Sequence, residues 1–235
     1  MKRKSYKTPI QQVSFLDDTH PVMPILDVSR CEARLINYET AARMVETYHY
    51  AHRVPSIVVA VGMFVDGVLA GCICYGTPAT ANQRRLCGEE YVERMLELNR
   101  LFIFDWAGRN SESWLIGQSF KIIERCFPQY AVLLSYADDK QNHKGIVYRA
   151  TNWFYTGISE AMIVGAVING REYHNQTIVD IWGSWAHDKV LDIDKNAQFI
   201  EGGCKHRYVY FLGNKRQRKQ LRQALKWPVL PYPKG

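Results

Sequence analysis

The chain of 235 residues is long enough for one domain that buries most of the surface its unfolded form exposes, and 47% apolar with 23% charged residues excludes a disordered or fibrous protein. There is no run of about 18 apolar residues and no apolar stretch behind the basic residues 1–7, which argues against a membrane span or secretory leader and predicts a cytoplasmic protein. The net charge is +7, but residues 204–235 carry nine Lys or Arg and no Asp or Glu, against 21 basic and 23 acidic residues elsewhere, and such a basic segment on a near-neutral body is the footprint of a polyanionic partner.

Taken in chain order, residues 32–38 alternate as a strand does, and Thr40 can cap a helix running to about Tyr48. Ser56 to Tyr75 reads as two β-branched runs joined at Asp66-Gly67, a dipeptide that supplies the positive φ angles of a tight hairpin. Cys72 and Cys74 fall on one face there; with Cys31, Cys87, Cys126 and Cys204 they form no CxxC pair and no zinc spacing, so reduced thiols are expected. Residues 94–104 predict another strand. A helix capped by Asn110 or Ser111 follows, with Ile116, Phe120, Ile123 and Phe127 on one side. The apolar run 131–137 predicts a buried strand that delivers Asp138 and Asp139 past its carboxyl end, where ligands of α/β sheets collect. Residues 143–152 predict a turn or two of helix, and Asn169-Gly170 marks a second hairpin within 161–174.

No repeat or low-complexity stretch divides the chain. The expected organisation is an α/β catalytic domain over 1–203, with an irregular N-terminal extension, and a basic arm over 204–235. In that arm Tyr208, Tyr210, Phe211, Leu221, Leu225 and Trp227 interleave with Lys205, Arg207, Lys215, Arg216, Arg218, Lys219, Arg222 and Lys226, so the segment can pack on the domain through its apolar side. The order strand, helix, hairpin, strand, helix, strand, helix, strand is that of the GCN5-like acyltransferase fold, a mixed central sheet flanked by helices.

His49-Tyr50, Leu98 to Leu101, Arg109 to Ser113, Ser135 to Asp138, Tyr148 to Trp153 and the ending from Lys205 to Lys234 together resemble the Mom family of phage DNA-adenine modification proteins over about residues 45–235. The resemblance implies a GCN5-like fold, double-stranded DNA as partner, and carbamoylmethylation of the adenine exocyclic amine as a defence against restriction, in the cytoplasm of the bacterial host. It also implies roles for particular residues. His49, Tyr50, Asp138 and Tyr148 match positions proposed to hold iron, and Arg100 and Ser113 match others tied to activity. An imidazole with hard oxygens suits iron better than a structural zinc. Arg109-Asn110-Ser111 stands where acyltransferases carry small residues around a pyrophosphate, with only Gly108 retained, which puts a coenzyme A donor in doubt and leaves the acyl or glycine-derived donor unassigned.

On residue type alone, Arg100 in a strand must meet a carboxylate or phosphate or else face solvent at an edge, and Ser113 either serves a backbone group or helps form an anion site. His52 or His143 can replace His49, and Trp153, Trp182 and Trp185 are core residues or platforms for a displaced base. A monomer and a homodimer are both open. The competing functions are an acyltransferase acting on a protein or small-molecule amine, and a non-catalytic DNA-binding protein that blocks restriction by occupancy.

Overall fold

The structure, a computed structural model, describes residues 25–138 and 144–233. Asp139 and His143 lie outside the described residues, as does the basic start of the chain.

The first strand, β1 (Cys31–Leu35), leads into α1 (Tyr38–Tyr48). Its cap is Asn37, whose side chain accepts the Thr40 N–H at 2.9 Å, so Thr40 receives the cap it was expected to provide. Ala41, Met44 and Val45 give the helix one buried face. The hairpin β2 (Val59–Val65) and β3 (Val68–Gly76) turns at Asp66 (φ 48°) and Gly67 (φ 78°), as the Asp-Gly pair predicts. A short helix, α2 (Ala81–Arg84), and a 3-10 turn over Glu89–Arg94 precede β4 (Met95–Ile103). The long helix α3 (Ser111–Cys126) then returns the chain to β5 (Val132–Asp138), and α4 (Ile146–Ala150) leads to β6 (Phe154–Ile158).

An insert follows that the sequence signalled only through its Asn169-Gly170 turn: β7 (Ile163–Ile168), β8 (Arg171–His174), α5 (Asn175–Trp182), α6 (His187–Ile193) and β9 (Gln198–Glu201). It forms a three-stranded sheet in the order β8-β7-β9 around Ala166, Ile168, Ile178 and Val190. The chain ends in β10 (Lys205–Phe211) and α7 (Lys215–Ala224).

The main sheet has seven strands in the order β1-β2-β3-β4-β5-β10-β6. This is the mixed α/β architecture expected from the order of the elements. β10 is an interior strand, antiparallel to β5 across Lys205↔Asp138 to Phe211↔Val132 and paired on its other edge with β6. The segment expected to pack on the domain as a basic arm thus supplies one of the interior strands of the main sheet, with α7 packed on it. Val209 and Phe211 must be buried on the sheet, with Leu221 and Leu225 of α7 packed beside them, because those apolar groups have no other core to join.

β4 and β5 are the parallel pair, and they pair only over Met95↔Val132 to Leu98↔Ser135. Just beyond, β4 carries a bulge: Tyr75 faces Leu98 and Cys74 faces Arg100, leaving Asn99 as the extra residue. A bulge sharpens strand twist. The two strands run on without pairing to Ile103 and Asp138, which opens the sheet between them. Among the described residues no helix is long and apolar enough to cross a membrane.

Candidate functional site

Alternation along the two strands gives the cleft two kinds of wall. Leu96, Leu98, Leu133 and Ala137 join the core under α3, together with Tyr148, Trp153 and Tyr208. Ser135 belongs to this wall. Its hydroxyl donates to the Leu98 carbonyl at 2.9 Å, across the last rung of the β4–β5 ladder, and lies 2.8 Å from the Tyr148 hydroxyl. With its one hydrogen directed at Leu98, Ser135 is the acceptor for Tyr148. Burial holds the Tyr148 phenol up at about 12.

The intervening residues Glu97, Arg100 and Tyr136 occupy the opposite wall. Glu97 is the one carboxylate of β4, which also carries Asn99 and Arg100; burial pushes its pKa up to about 7, against the pull of Lys205, the Ala79 N–H and Arg100. Tyr136, also raised to about 12 by burial, accepts the Gln83 amide at 2.7 Å. Arg100 sends its guanidinium to backbone carbonyls, of Arg53 at 3.2 and 3.3 Å and of Asn99 at 2.6 Å.

The segment after α1 forms the rim. His49 ends the helix and is 6% exposed; burial, with Arg100 and His52 nearby, lowers its pKa to about 4, so it is neutral at physiological pH. Its Nδ1 accepts the Ala51 N–H at 3.1 Å, so the neutral ring carries its proton on Nε2. Tyr50 packs against it, ring centroids 4.3 Å apart, yet stays 63% exposed. His52 has φ of 43°, an unfavourable conformation for a non-glycine residue and one found preferentially where geometry serves a site. Arg53 reaches across to the insert, where its Nη1 lies 3.1 Å from His174 Nδ1.

Residues 30–234 match the model of the Mom protein family. The chain belongs to the Mom family. It is 32% identical over 196 residues to the methylcarbamoylase mom of Escherichia phage Mu, covering 83% of this chain and 80% of that protein. Among solved structures it is similar to an N-acetyltransferase from Staphylococcus aureus (12% identity, 78% of this chain and 99% of that one, TM-score 0.47) and to a spermidine N-acetyltransferase from Vibrio cholerae (10%, 83% and 99%, 0.46).

Of the residues singled out by resemblance to Mom proteins, the structure draws His49, Tyr50, Arg100 and Tyr148 together: Arg100 acts electrostatically on His49, and Tyr50 on both Arg100 and Tyr148. Asp138 ends β5, facing Lys205 in the ladder, and alternation puts it on the wall of Tyr136, whereas Tyr148 meets β5 from the Ser135 side. As arranged, these groups do not form a ready iron site. His49 has its Nδ1 occupied and a proton on Nε2, and metal-bound imidazoles use the opposite arrangement, with the second nitrogen donating. Among the described residues no three His, Cys, Asp or Glu side chains gather as a metal-binding group.

Ser113 donates to the Asn110 carbonyl at 3.0 Å. In the expected cofactor loop, Arg109 accepts the Leu26 N–H through its carbonyl, Asn110 takes a left-handed conformation without a side-chain cap, and Ser111 turns inward to the Gly108 carbonyl. The basic C-terminal residues separate into two groups. Arg207 is half-buried, its Nη2 on the Thr156 carbonyl at 2.9 Å and its guanidinium 4.3 Å over Trp227, so its charge is used inside the protein rather than as an open contact. Arg218 pairs with Glu124 at 3.2 Å, and Arg222 lies over Phe154. Lys205, Lys215, Arg216, Lys219 and Lys226 are exposed. Trp153 is fully buried, whereas Trp182 and Trp185 are 37% and 42% exposed on the insert.

Sequence reasoning missed Glu97, Ser135, Tyr136 and Arg53. The signal for Glu97 was present, as one carboxylate inside the apolar run 94–104, and it escaped because a charge in a strand reads equally well as a solvated edge.

Proposed function

We propose that this Mom protein transfers a carbamoylmethyl-type group to the exocyclic amino group of adenine in double-stranded DNA, and so shields that DNA from restriction. Family membership beside a methylcarbamoylase supports the transfer chemistry. The exposed cations Lys215, Arg216 and Lys219 of α7 suit a nucleic-acid partner. The observation that carries the reading is Glu97, a half-buried carboxylate on the last paired rungs of β4 and β5, beside the cleft that opens after Leu98, with its pKa drawn up to about 7.

The adenine amine is a weak nucleophile because its lone pair is delocalised into the ring. As it forms a bond to the donor carbon it must lose one proton, while the leaving group departs with the bonding pair. A base poised near neutrality is the group best matched to accept that proton. Stacking hides the amine in duplex DNA, so the base must be extruded at a cost of a few kcal/mol, and the exposed ring of Tyr50 at the rim is a platform for it. The neutral His49 beneath Tyr50 carries its N–H on Nε2, a donor able to hold a ring nitrogen of the base.

The test is to express wild type and Glu97→Gln in a bacterial host, digest the DNA to nucleosides and weigh the adenosine species. An adduct heavier by a carbamoylmethyl group is expected from wild type alone. Unmodified adenine in cells holding abundant folded wild-type protein would overturn the reading.

A further inference from the structure

Three cations from three separate elements gather near Glu97: Arg100 and Lys205 act on its carboxylate, and Arg53 adjoins Arg100, whose guanidinium donates to the Arg53 carbonyl. Arg53 comes from the rim after α1, Arg100 from β4 and Lys205 from the first position of β10. Among the described residues none of the three forms an ion pair: the donors of Arg100 go to backbone carbonyls, and Arg53 meets an imidazole nitrogen. They are close enough to act on one another's surroundings. Arg53 lowers the pKa of Arg100, and after burial both Arg53 and Lys205 lower that of His174. Like charges held together repel, and the repulsion grows as water is excluded. His49 and His174, on either side, add no negative charge, and Glu97 is itself held toward its neutral form. Three cations thus stand against two carboxylates, Glu97 and Asp138, the latter facing Lys205 in the ladder, so the cluster keeps an excess of positive charge.

We propose that Arg53, Arg100 and Lys205 form a clamp for the backbone phosphate beside the target nucleotide, fixing the extruded base over Glu97. The inference rests on the function proposed above and names the part of the DNA held at that site. A backbone phosphate is favoured over a free anion because the cations continue beyond the clamp on the same side of the sheet. From Lys205, β10 runs seven residues, about 20 Å. α7 then returns over the face formed by Val209 and Phe211, presenting Lys215, Arg216 and Lys219 and ending beside Lys226, whose N–H bonds the Leu86 carbonyl. About 20 Å matches about six phosphates along one strand. His174 gives the insert a place in the clamp, since Arg53 is braced against it.

Arg53 and Lys205 are exposed, so Arg53→Ala and Lys205→Ala should fold as wild type does. Binding of each to a duplex oligonucleotide would be measured as a function of salt, with native DNA and with DNA in which single phosphates near the target adenine are replaced by neutral methylphosphonates. The double variant should lower the logarithmic salt slope by about 2, close to 0.9 for each phosphate charge that it no longer neutralises. One methylphosphonate position should weaken wild type about tenfold and leave the double variant unchanged, marking that phosphate as the partner of the two side chains. Unchanged slopes, or equal sensitivity of both proteins to that methylphosphonate, would overturn the clamp. So would calorimetric binding of inorganic phosphate by wild type that vanishes in the double variant while its DNA slope stays at the wild-type value, since that assigns the site to a free anion. Nucleoside masses separate this failure from that of the function: an adenine adduct from wild type with no clamp effect removes only the clamp.

Discussion

On the α3 side of the sheet, Leu96, Leu98, Leu133 and Tyr208 pack with Tyr148 and Trp153 into a core whose polar atoms are few and mostly paired internally. The alternate residues of the same strands, Glu97, Arg100, Tyr136 and Lys205, form a charged cleft wall on the other side. Until Leu98 and Ser135 the second side is also covered, by Met95, Val132 and Leu134 under α7. The difference is made around the end of one ladder: where the pairing of β4 and β5 stops and one residue is bulged out at Asn99, positions that a closed sheet would bury apolar carry charge, with Glu97 on the rung just before. The period-two backbone thus permits a dry support and a charged wall to be built from neighbouring residues, the first holding the second in place.

The two walls are lost together if the sheet is opened. A chain ending at Gly203 loses β10, an interior strand, together with α7, and is expected to give no soluble folded protein by size exclusion and circular dichroism. A truncated protein that melts cooperatively would make 204–235 the detachable arm its charge suggested.

Glu97→Gln tests the reactive wall. Activity should drop by about 10²–10⁴-fold. In wild type the rate should climb as Glu97 ionises, with a midpoint near pH 7. Stability should move the other way. A carboxyl raised in the folded state costs stability as pH climbs from its ordinary value toward 7 and no more above it, so the variant should gain about 1–3 kcal/mol over wild type at pH 8 and nothing at pH 4. Denaturant melts at the two pH values decide this; a loss of stability at pH 8 would show that the charged form is supported.

The dry wall should behave in the opposite manner. Trp153→Ala empties a fully buried site and should cost about 3–5 kcal/mol at every pH, read from the denaturant midpoint. The smallest effect is expected for Tyr148→Phe, which removes the bond to Ser135 for about 1 kcal/mol. If that variant also abolishes the adenine adduct while remaining folded, Tyr148 belongs to the chemistry as well as to the support.

Much of the local structure was legible. The Asp66-Gly67 and Asn169-Gly170 turns, α3 with its apolar stripe, and β2 to β5 follow from φ preferences and hydrophobic period, which act over a few residues. The blocks around His49, Leu98, Ser135 and Tyr148 were enough to point to the Mom family, now shown by the match over residues 30–234. What the sequence left open was every question of partner and face. The charge count of residues 204–235 made them an arm, because a sum of charges says nothing about pairing; the fold places their first seven residues of strand in the middle of the sheet, since Val209 and Phe211 find their apolar partners only there. Arg207, one more cation in the count, became a half-buried partner of Trp227. Glu97 carried no motif, and only the β4–β5 pairing that stops at Leu98 and Ser135 set it beside the opening; Arg53 carried none until the insert set His174 opposite it. Propensity and periodicity are local and survive in the sequence alone, whereas burial, electrostatic neighbours and the opening between two strands exist only once distant segments have met.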